Sequence, residues 1–288
     1  MKYLYYPGCS LKGTAREYDE SFQAIAPILG IEFDEMEEWV CCDATVAKSV
    51  DEHLAEKLPQ PALVQAGKAE RDLLMLCPSC HLNHLRVVRK AQEGRVQMEG
   101  LSSDRFPGVR QLLEVLAYEV GWGEIKKKIS RPLKGIRAVP YYGCLVIRSF
   151  GLGGRESLEN PQAMENLIAA AGGGPVSFPW KMDCCGGGLL LSKEKIALKQ
   201  GAKILGEAKK FNPDCIVAAC PLCHFMLNAK QRAMEKEGGE KVGIPVLYLS
   251  QFLGLGLGLA PRKLGLPRLI TSPRNLLEKI QKNVDFKG

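Results

Sequence analysis

The sequence predicts an α/β protein built from two pseudo-symmetric repeats, each a small parallel sheet flanked by helices. Three observations carry that prediction. Shifting the 288-residue chain by 143 positions lays Cys41 on Cys184, Cys42 on Cys185, Cys77 on Cys220, Pro78 on Pro221, Cys80 on Cys223 and His81 on His224. Within each half, short apolar runs alternate with amphipathic stretches, the pattern of parallel strands joined by helical crossovers. Each group of cysteines stands just past the end of an apolar run, where open α/β sheets place their sites.

The first cysteine of each half also corresponds. Tyr5-Tyr6-Pro7-Gly8-Cys9 matches Tyr141-Tyr142-Gly143-Cys144 at an offset of 135, because the second half holds eight additional residues, assigned here to Gly151 to Arg155 and its surroundings. The tails echo each other as Arg110-Gln111-Leu112-Leu113 and Ser250-Gln251-Phe252-Leu253. The expected domains are residues 1–132 and 133–288, joined near Ser130 to Gly135.

Periodicity and punctuation give the elements in order. In the first unit Tyr3 to Tyr6 reads as a strand, Ala15 to Leu29 as a helix stopped by Gly30, and Ile31 to Met36 as a second strand. Helical stretches follow the Cys41-Cys42 pair as far as Arg71, then a buried strand at Leu73 to Leu76. A polar helix runs from the Cys77 to Cys80 turn through Gln97, and another helix is expected from Val109 to Ile129. The second unit repeats the scheme, with strands at Ile136 to Tyr142, Val176 to Phe178, Ile216 to Ala219 and Val246 to Leu249.

Composition narrows the function. At 46% hydrophobic and 25% charged residues the chain is globular, and its length allows a proper core without covalent staples. Its eleven cysteines are an odd number and cannot all pair as disulfides, which puts metal ligation first. Lys2 to Tyr6 leads straight into Cys9 and leaves no room for a signal peptide, so a cytoplasmic protein is expected. No run approaches the ~18 apolar residues of a membrane span. The net charge of +7 is spread along the chain, with Lys126-Lys127-Lys128 its one dense run and no recognition helix beside it. Nucleic acid is therefore not an expected partner, whereas acidic partners or anionic substrates suit the charge.

Each unit carries a single cysteine, an adjacent pair 31 or 39 residues on, and a Cys-x-x-Cys after a further 34 in both copies. One sheet edge can gather all five sulfurs. Zinc also takes four thiolates, but five per set is one too many for zinc or for an ordinary four-cysteine cubane. Adjacent cysteines reach a cluster more readily than one small ion, so the spacing favours iron–sulfur over zinc. Gly186-Gly187-Gly188 suits a loop whose backbone N–H groups turn onto cluster sulfur. The first unit has Asp43-Ala44-Thr45 there, with Asp43 placed to cap the next helix. His81 and His224 follow the last cysteine of each set and are candidate proton donors, packing being the plainer role. Cys215 aligns with Asp72, outside the repeated set, and reads as a strand residue without redox chemistry. The Gly254 to Gly258 run reads as a packed helix, not a phosphate loop.

These motifs resemble the cysteine-rich CCG domain, and two copies over the whole chain resemble the B-type subunits of heterodisulfide reductase. The resemblance rests on Tyr-Pro-Gly-Cys at the amino end, Cys41-Cys42 with Cys77 and Cys80, and Cys184-Cys185-Gly186 with Cys220-Pro221-Leu222-Cys223. It implies two noncubane [4Fe–4S] clusters, one held by Cys9, Cys41, Cys42, Cys77 and Cys80, the other by Cys144, Cys184, Cys185, Cys220 and Cys223. It further implies a disulfide-reducing member of a complex, acting on a small disulfide or thiol, with a ferredoxin-like C-type subunit, and a flavin-bearing A-type one, as partners. Related domains occur in succinate, fumarate and glycolate oxidoreductases and in sulfur-oxidising complexes. That alternative stays open, as does a pure electron conduit or zinc-stapled scaffold. Asp43 departs from the glycine or proline that often follows the pair in this family.

Overall fold

The computed structural model describes residues 2–44, 47–101, 106–238 and 241–285. Two four-stranded parallel sheets form the frame. The first contains β1 (Lys2–Tyr6), β2 (Glu32–Glu35), β3 (Leu73–Met75) and β4 (Val109–Gln111) in the order β2-β1-β3-β4. The second contains β5 (Arg137–Tyr141), β6 (Gly174–Pro175), β7 (Cys215–Ala218) and β8 (Val246–Tyr248) in the order β6-β5-β7-β8. Each chain path starts mid-sheet, steps to one side, then crosses back to the other. The two inner strands β1 and β3, like β5 and β7, therefore flank a topological switch point.

The elements follow from local sequence. Every residue of β3 and of β7 is buried, as parallel strands covered by helices on both faces require. The Arg16–Leu29 helix turns Tyr18, Phe22, Ile25, Ala26 and Leu29 inward and ends on Gly30 in the left-handed conformation. Alternation along the second sheet sends Ala138, Cys215 and Val217 into a large core that also contains Tyr5, Phe22 and Leu74 of the first unit. The opposite face, with Val139, Ile216 and Ala218, packs a second core confined to the second unit.

Because the large core crosses the seam, the units are not beads on a string. The Arg16–Leu29 helix packs on the Leu249–Gly256 helix, and the Pro78–Gln92 helix on Gly143–Phe150. Within that seam Ser21 Oγ and Ser250 Oγ lie 2.6 Å apart, fully buried.

Four sequence expectations change. The polar helix expected to run through Gln97 ends at Gln92. Val109 to Ile129 is not one helix: Val109–Gln111 is β4, paired along β3, and helical turns start only at Leu112. Three residues are too few to show a strand period, and it is the open edge of β3 that recruits them. The strand expected at Val176 to Phe178 sits two residues earlier, at Gly174–Pro175, with Val176 N still donating to Ala138 O at 2.8 Å. Pro175 is tolerated because this is an edge strand. The tails also match in a different register, since Met75 faces Gln111 and Ala218 faces Tyr248. Gln111 therefore corresponds to Tyr248 rather than to Gln251.

Candidate metal centre

The strand ends deliver the sulfurs. Pro7 and Gly8 follow β1 and open the short Gly8–Lys12 helix that carries Cys9, while Gly143–Phe150 carries Cys144 after β5. Cys77 and Cys220 are the N-caps of helices beginning at Pro78 and Pro221, with Cys80 and Cys223 in the first turn. Proline suits that first helical position, where its missing N–H costs nothing. The pair in each unit arrives on the loop after the edge strand, so three strand ends supply each set.

In the first unit the sulfurs meet in pairs. Cys42 Sγ lies 3.2 Å from Cys80 Sγ, and Cys41 Sγ 3.8 Å from Cys9 Sγ. The thiol of Cys41 first, and that of Cys80 second, hold Cys42 below the ordinary thiol range; Cys80 does the same for Cys77. The same contacts with Cys42 and Cys77, together with burial, push Cys80 itself up. The second unit repeats this, with Cys223 holding Cys185 down and Cys144 holding Cys184 down. Among the described residues no three His, Cys, Asp or Glu side chains converge on a position for one small ion.

Glycines make room for these sulfurs. Gly8 and Gly143 have φ of 68° and 67°, and a Cβ on them would stand 3.2 Å from Cys80 Sγ and 2.8 Å from Cys223 Sγ. In the glycine run, Gly186 N and Gly187 N each reach a sulfur at 3.4 Å, those of Cys184 and Cys185. Gly186 has φ 80°, and its Cβ would meet Ala197 O at 2.8 Å; a Cβ on Gly187 would meet Leu222, and one on Gly188 would meet nothing. Asp43 takes the place of Gly186 with φ 45°, and its carboxylate accepts from Ala47 N, capping the helix as expected. Thr45, which aligns with Gly188, lies outside the described residues.

The histidines are buried. Desolvation pushes His81 down to about 4 and His224 to about 3, so both are neutral imidazoles near pH 7. His81 Nε2 lies 3.1 Å from Val109 O, and its Nδ1 has no hydrogen-bond partner among the described residues. His81 also borders a cavity of about 420 Å³ between the units, walled by Arg110, Glu114 and Arg155 and by no cysteine. This cavity is where the additional residues at 151–155 settle. His224 stacks on Tyr248 at 3.9 Å, which stacks in turn on Tyr18 at 4.1 Å. Tyr18 donates to Ala219 O, beside Cys220. Burial, with the thiols of Cys220 and Cys77 adding to it, keeps the Tyr18 phenol protonated. The stack thus fills a dry seam within electrostatic reach of both cysteine sets.

Sequence reasoning did not assign a role to Tyr6 or Tyr141. Tyr6 Oη donates to Val40 O at 2.5 Å and Tyr141 Oη to Asp183 O at 2.6 Å. Both carbonyls belong to the residue just before the cysteine pair, so each ring ties the pair's loop to the first strand. The repeat contained the signal, since the two tyrosines share the 135-residue offset of Cys9 and Cys144. Cys215 lies fully buried in β7, as expected, with its thiol pushed up by desolvation.

The family model of the cysteine-rich domain (CCG) matches residues 3–84 and 138–228. The B subunit of a ferredoxin:CoB-CoM heterodisulfide reductase from Methanosarcina mazei is 30% identical over 83% of this chain and 84% of its own length. The chain belongs to the two-domain CCG family typified by the B subunit of heterodisulfide reductase. It is 34% identical to the 8-methylmenaquinol:fumarate reductase membrane anchor subunit of Wolinella succinogenes, over 92% of this chain and 95% of that one. A protein of Archaeoglobus profundus described as like the heterodisulfide reductase B subunit is 28% identical over 98% of this chain and 99% of its own. The crystal structure of a hypothetical protein from Helicobacter pylori shares the fold with a TM-score of 0.69 at 11% identity, over 94% of this chain and 52% of that one. The chain thus spans about half of that structure. Membership makes it an iron–sulfur protein of the oxidoreductase class. Among its described residues no helix is long and apolar enough to cross a membrane.

Proposed function

We propose that this chain is the iron–sulfur catalytic subunit of a heterodisulfide reductase-type complex, reducing a disulfide or running the reverse thiol oxidation. The observation that carries the reading is the duplicated placement of five cysteines past three strand ends beside the switch point of each sheet, with one buried seam between the two sets. The donor set fits two noncubane [4Fe–4S] clusters, held by Cys9, Cys41, Cys42, Cys77 and Cys80 and by Cys144, Cys184, Cys185, Cys220 and Cys223. The space kept by Gly8 and Gly143 and the N–H groups of Gly186 and Gly187 support that fit. When bound, such clusters supply one electron each and an iron site for sulfur, so that a disulfide opens without a free thiyl radical. The protein's own part is to hold ten thiolates, to orient each pair through Tyr6 and Tyr141, and to keep the seam dry. His81 and His224 are neutral imidazoles whose single N–H is taken by a backbone carbonyl, Val109 for His81 and Val246 for His224, so in this reading they pack rather than donate protons, and the departing thiolates take theirs from solvent. The domains are residues 1–132 and 133–288. The partners are one ferredoxin-like and one flavin-bearing subunit, with the cytoplasm as the compartment.

A second reading is favoured by the 34% identity with the Wolinella protein: transfer of quinol electrons in a fumarate reductase-type complex. Anaerobically purified protein tests both, and should contain about eight irons and eight sulfides per chain. A paramagnetic resonance change on adding thiols favours disulfide chemistry; a response to menaquinol alone favours the second reading. Disulfide turnover should vanish in Cys41→Ser and in Cys184→Ser alike. Stoichiometric zinc with little iron overturns both readings.

A further inference from the structure

The two cysteine sets have different rims. Past Cys184 and Cys185 a tight turn, with Leu189 N on Gly186 O at 2.8 Å and Lys193 N on Leu189 O at 2.7 Å, lifts aliphatic side chains into solvent. Leu189, Leu191 and Ile196 are 43%, 100% and 56% exposed. Around them stand Lys193, Lys195, Lys199 and Lys203, all exposed, none with an ion-pair partner among the described residues. Three of these lysines recur at four-residue spacing on the Glu194–Lys209 helix, where like charges work against the helix that bears them. Local stability therefore does not explain the stripe. Cys184, an exposed residue, lies just before this turn.

The corresponding rim of the first unit is of mixed charge, with Lys57 beside its carboxylates. Its exposed aliphatics, Val50 and Leu54, stand among Asp51, Glu52 and Glu56, and Lys90 takes up the last two. Among the described residues, a stripe of lysines without ion-pair partners borders the second set and not the first.

We propose that the rim at residues 189–203 is the docking surface of an acidic protein that carries its own redox centre and exchanges electrons with the second cysteine set. This rests on the iron–sulfur reading above for its electron transfer, though not for its binding. A small apolar spot inside a ring that is basic but for Glu194 suits brief, electrostatically steered encounters. The fitting partner presents an apolar spot ringed by carboxylates. Leucines among lysines also suit an anionic membrane, but the position beside an exposed cysteine calls for a partner that brings or takes electrons.

The test uses the full chain and a bacterial two-cluster ferredoxin as the acidic probe. Stopped-flow reduction of the chain by reduced ferredoxin should slow as salt rises. The triple variant Lys195→Glu, Lys199→Glu, Lys203→Glu should lower the bimolecular rate at least about tenfold, whereas Lys57→Glu on the first rim should change it less than about twofold. Leu191→Ser should weaken binding and leave the salt dependence unchanged. Iron content and resonance spectra of the variants should match those of the parent. Binding of oxidised ferredoxin to metal-free chain, measured by interferometry, should show the same order, so docking is tested even if the iron–sulfur reading fails. Equal rates and affinities in parent and triple variant overturn the proposal. So does lysine-dependent capture by vesicles with about one third anionic lipid when ferredoxin binding is indifferent to the lysines.

Discussion

Replacing single glycines of the run after Cys185 separates two reasons for having glycine there. At Gly186 the backbone is left-handed, with φ 80°, and an added Cβ would sit 2.8 Å from Ala197 O and 2.9 Å from Ala197 Cα. Both are backbone atoms of the Glu194–Lys209 helix, so the helix itself must move. The conformation costs an alanine about 1–2 kcal/mol and the overpacking about 1–3 kcal/mol, giving a loss of roughly 2–5 kcal/mol. Against a domain stability of about 5–15 kcal/mol that is large, and at roughly 2–4 °C per kcal/mol it lowers the melting temperature by about 4–20 °C. At Gly188 nothing lies within 4 Å of the added atom, so Gly188→Ala should stay within about 0.5 kcal/mol. Gly187→Ala should fall between, because its Cβ meets only the Leu222 side chain. The assay is anaerobic thermal unfolding with iron counted per chain. Gly186→Ala should drop from about eight irons towards four while the first set keeps its spectrum. If Gly188→Ala is as damaging as Gly186→Ala, the run is kept for its flexibility and the geometric argument is wrong.

Serine at Cys184 or Cys220 should remove one resonance signature and keep the other, whereas serine at buried Cys215 should leave both; equal damage at Cys215 means the ligand set is wrong. Asp43→Gly frees the φ of 45° but removes the cap on Ala47, effects of about 1 kcal/mol each that nearly cancel. Losing its charge should raise the first centre's potential by some tens of millivolts, and an unchanged or lower potential in a redox titration refutes the influence of that carboxylate. Tyr6→Phe and Tyr141→Phe each leave a carbonyl before a cysteine pair without its donor, at a cost of about 1–3 kcal/mol. Iron release to a chelator should quicken in the affected half alone, and equal release from both halves contradicts a local tie.

Much of this was legible in the sequence because duplication supplies an internal control. A cysteine at one strand end is a weak signal, but four at one common offset, with a fifth displaced by eight residues, exclude chance and fix the order of elements between them. Gly30 also read correctly, since a left-handed helix stop admits few other residues. What escaped was decided by tertiary contact. Val109–Gln111 has no period of its own and becomes a strand on meeting β3. Tyr18 lies in an ordinary amphipathic helix and gains its place only when Tyr248, more than two hundred residues away, stacks on it. The tail register slipped because Gln111 and Gln251 look alike in sequence, while strand pairing puts Tyr248 opposite Gln111 in the repeat.

Symmetry and its breaking therefore lie on different structural levels. The backbone repeats: the strand order, the left-handed glycine before each first cysteine, the proline in each Cys-x-x-Cys and the tyrosine tied to each pair's loop all recur. What differs is charge and polarity close to the sulfurs. The first set has Asp43 where the second has Gly186, and a rim of mixed charge where the second has lysines without ion-pair partners among the described residues. Tyr248 stands in the second sheet where the first has Gln111. Two sulfurs of one disulfide need two centres of like geometry, which the repeated backbone supplies. Electrons arriving from one side need those centres to differ in potential and approach. Under the proposed function, the Asp43 carboxylate beside the first set makes reduction there harder, and the lysines of the second rim draw an acidic donor to that end. Under the proposed function, electrons enter at the second set and reach the first across the Tyr18–Tyr248 seam, a direction that the shared backbone alone does not impose.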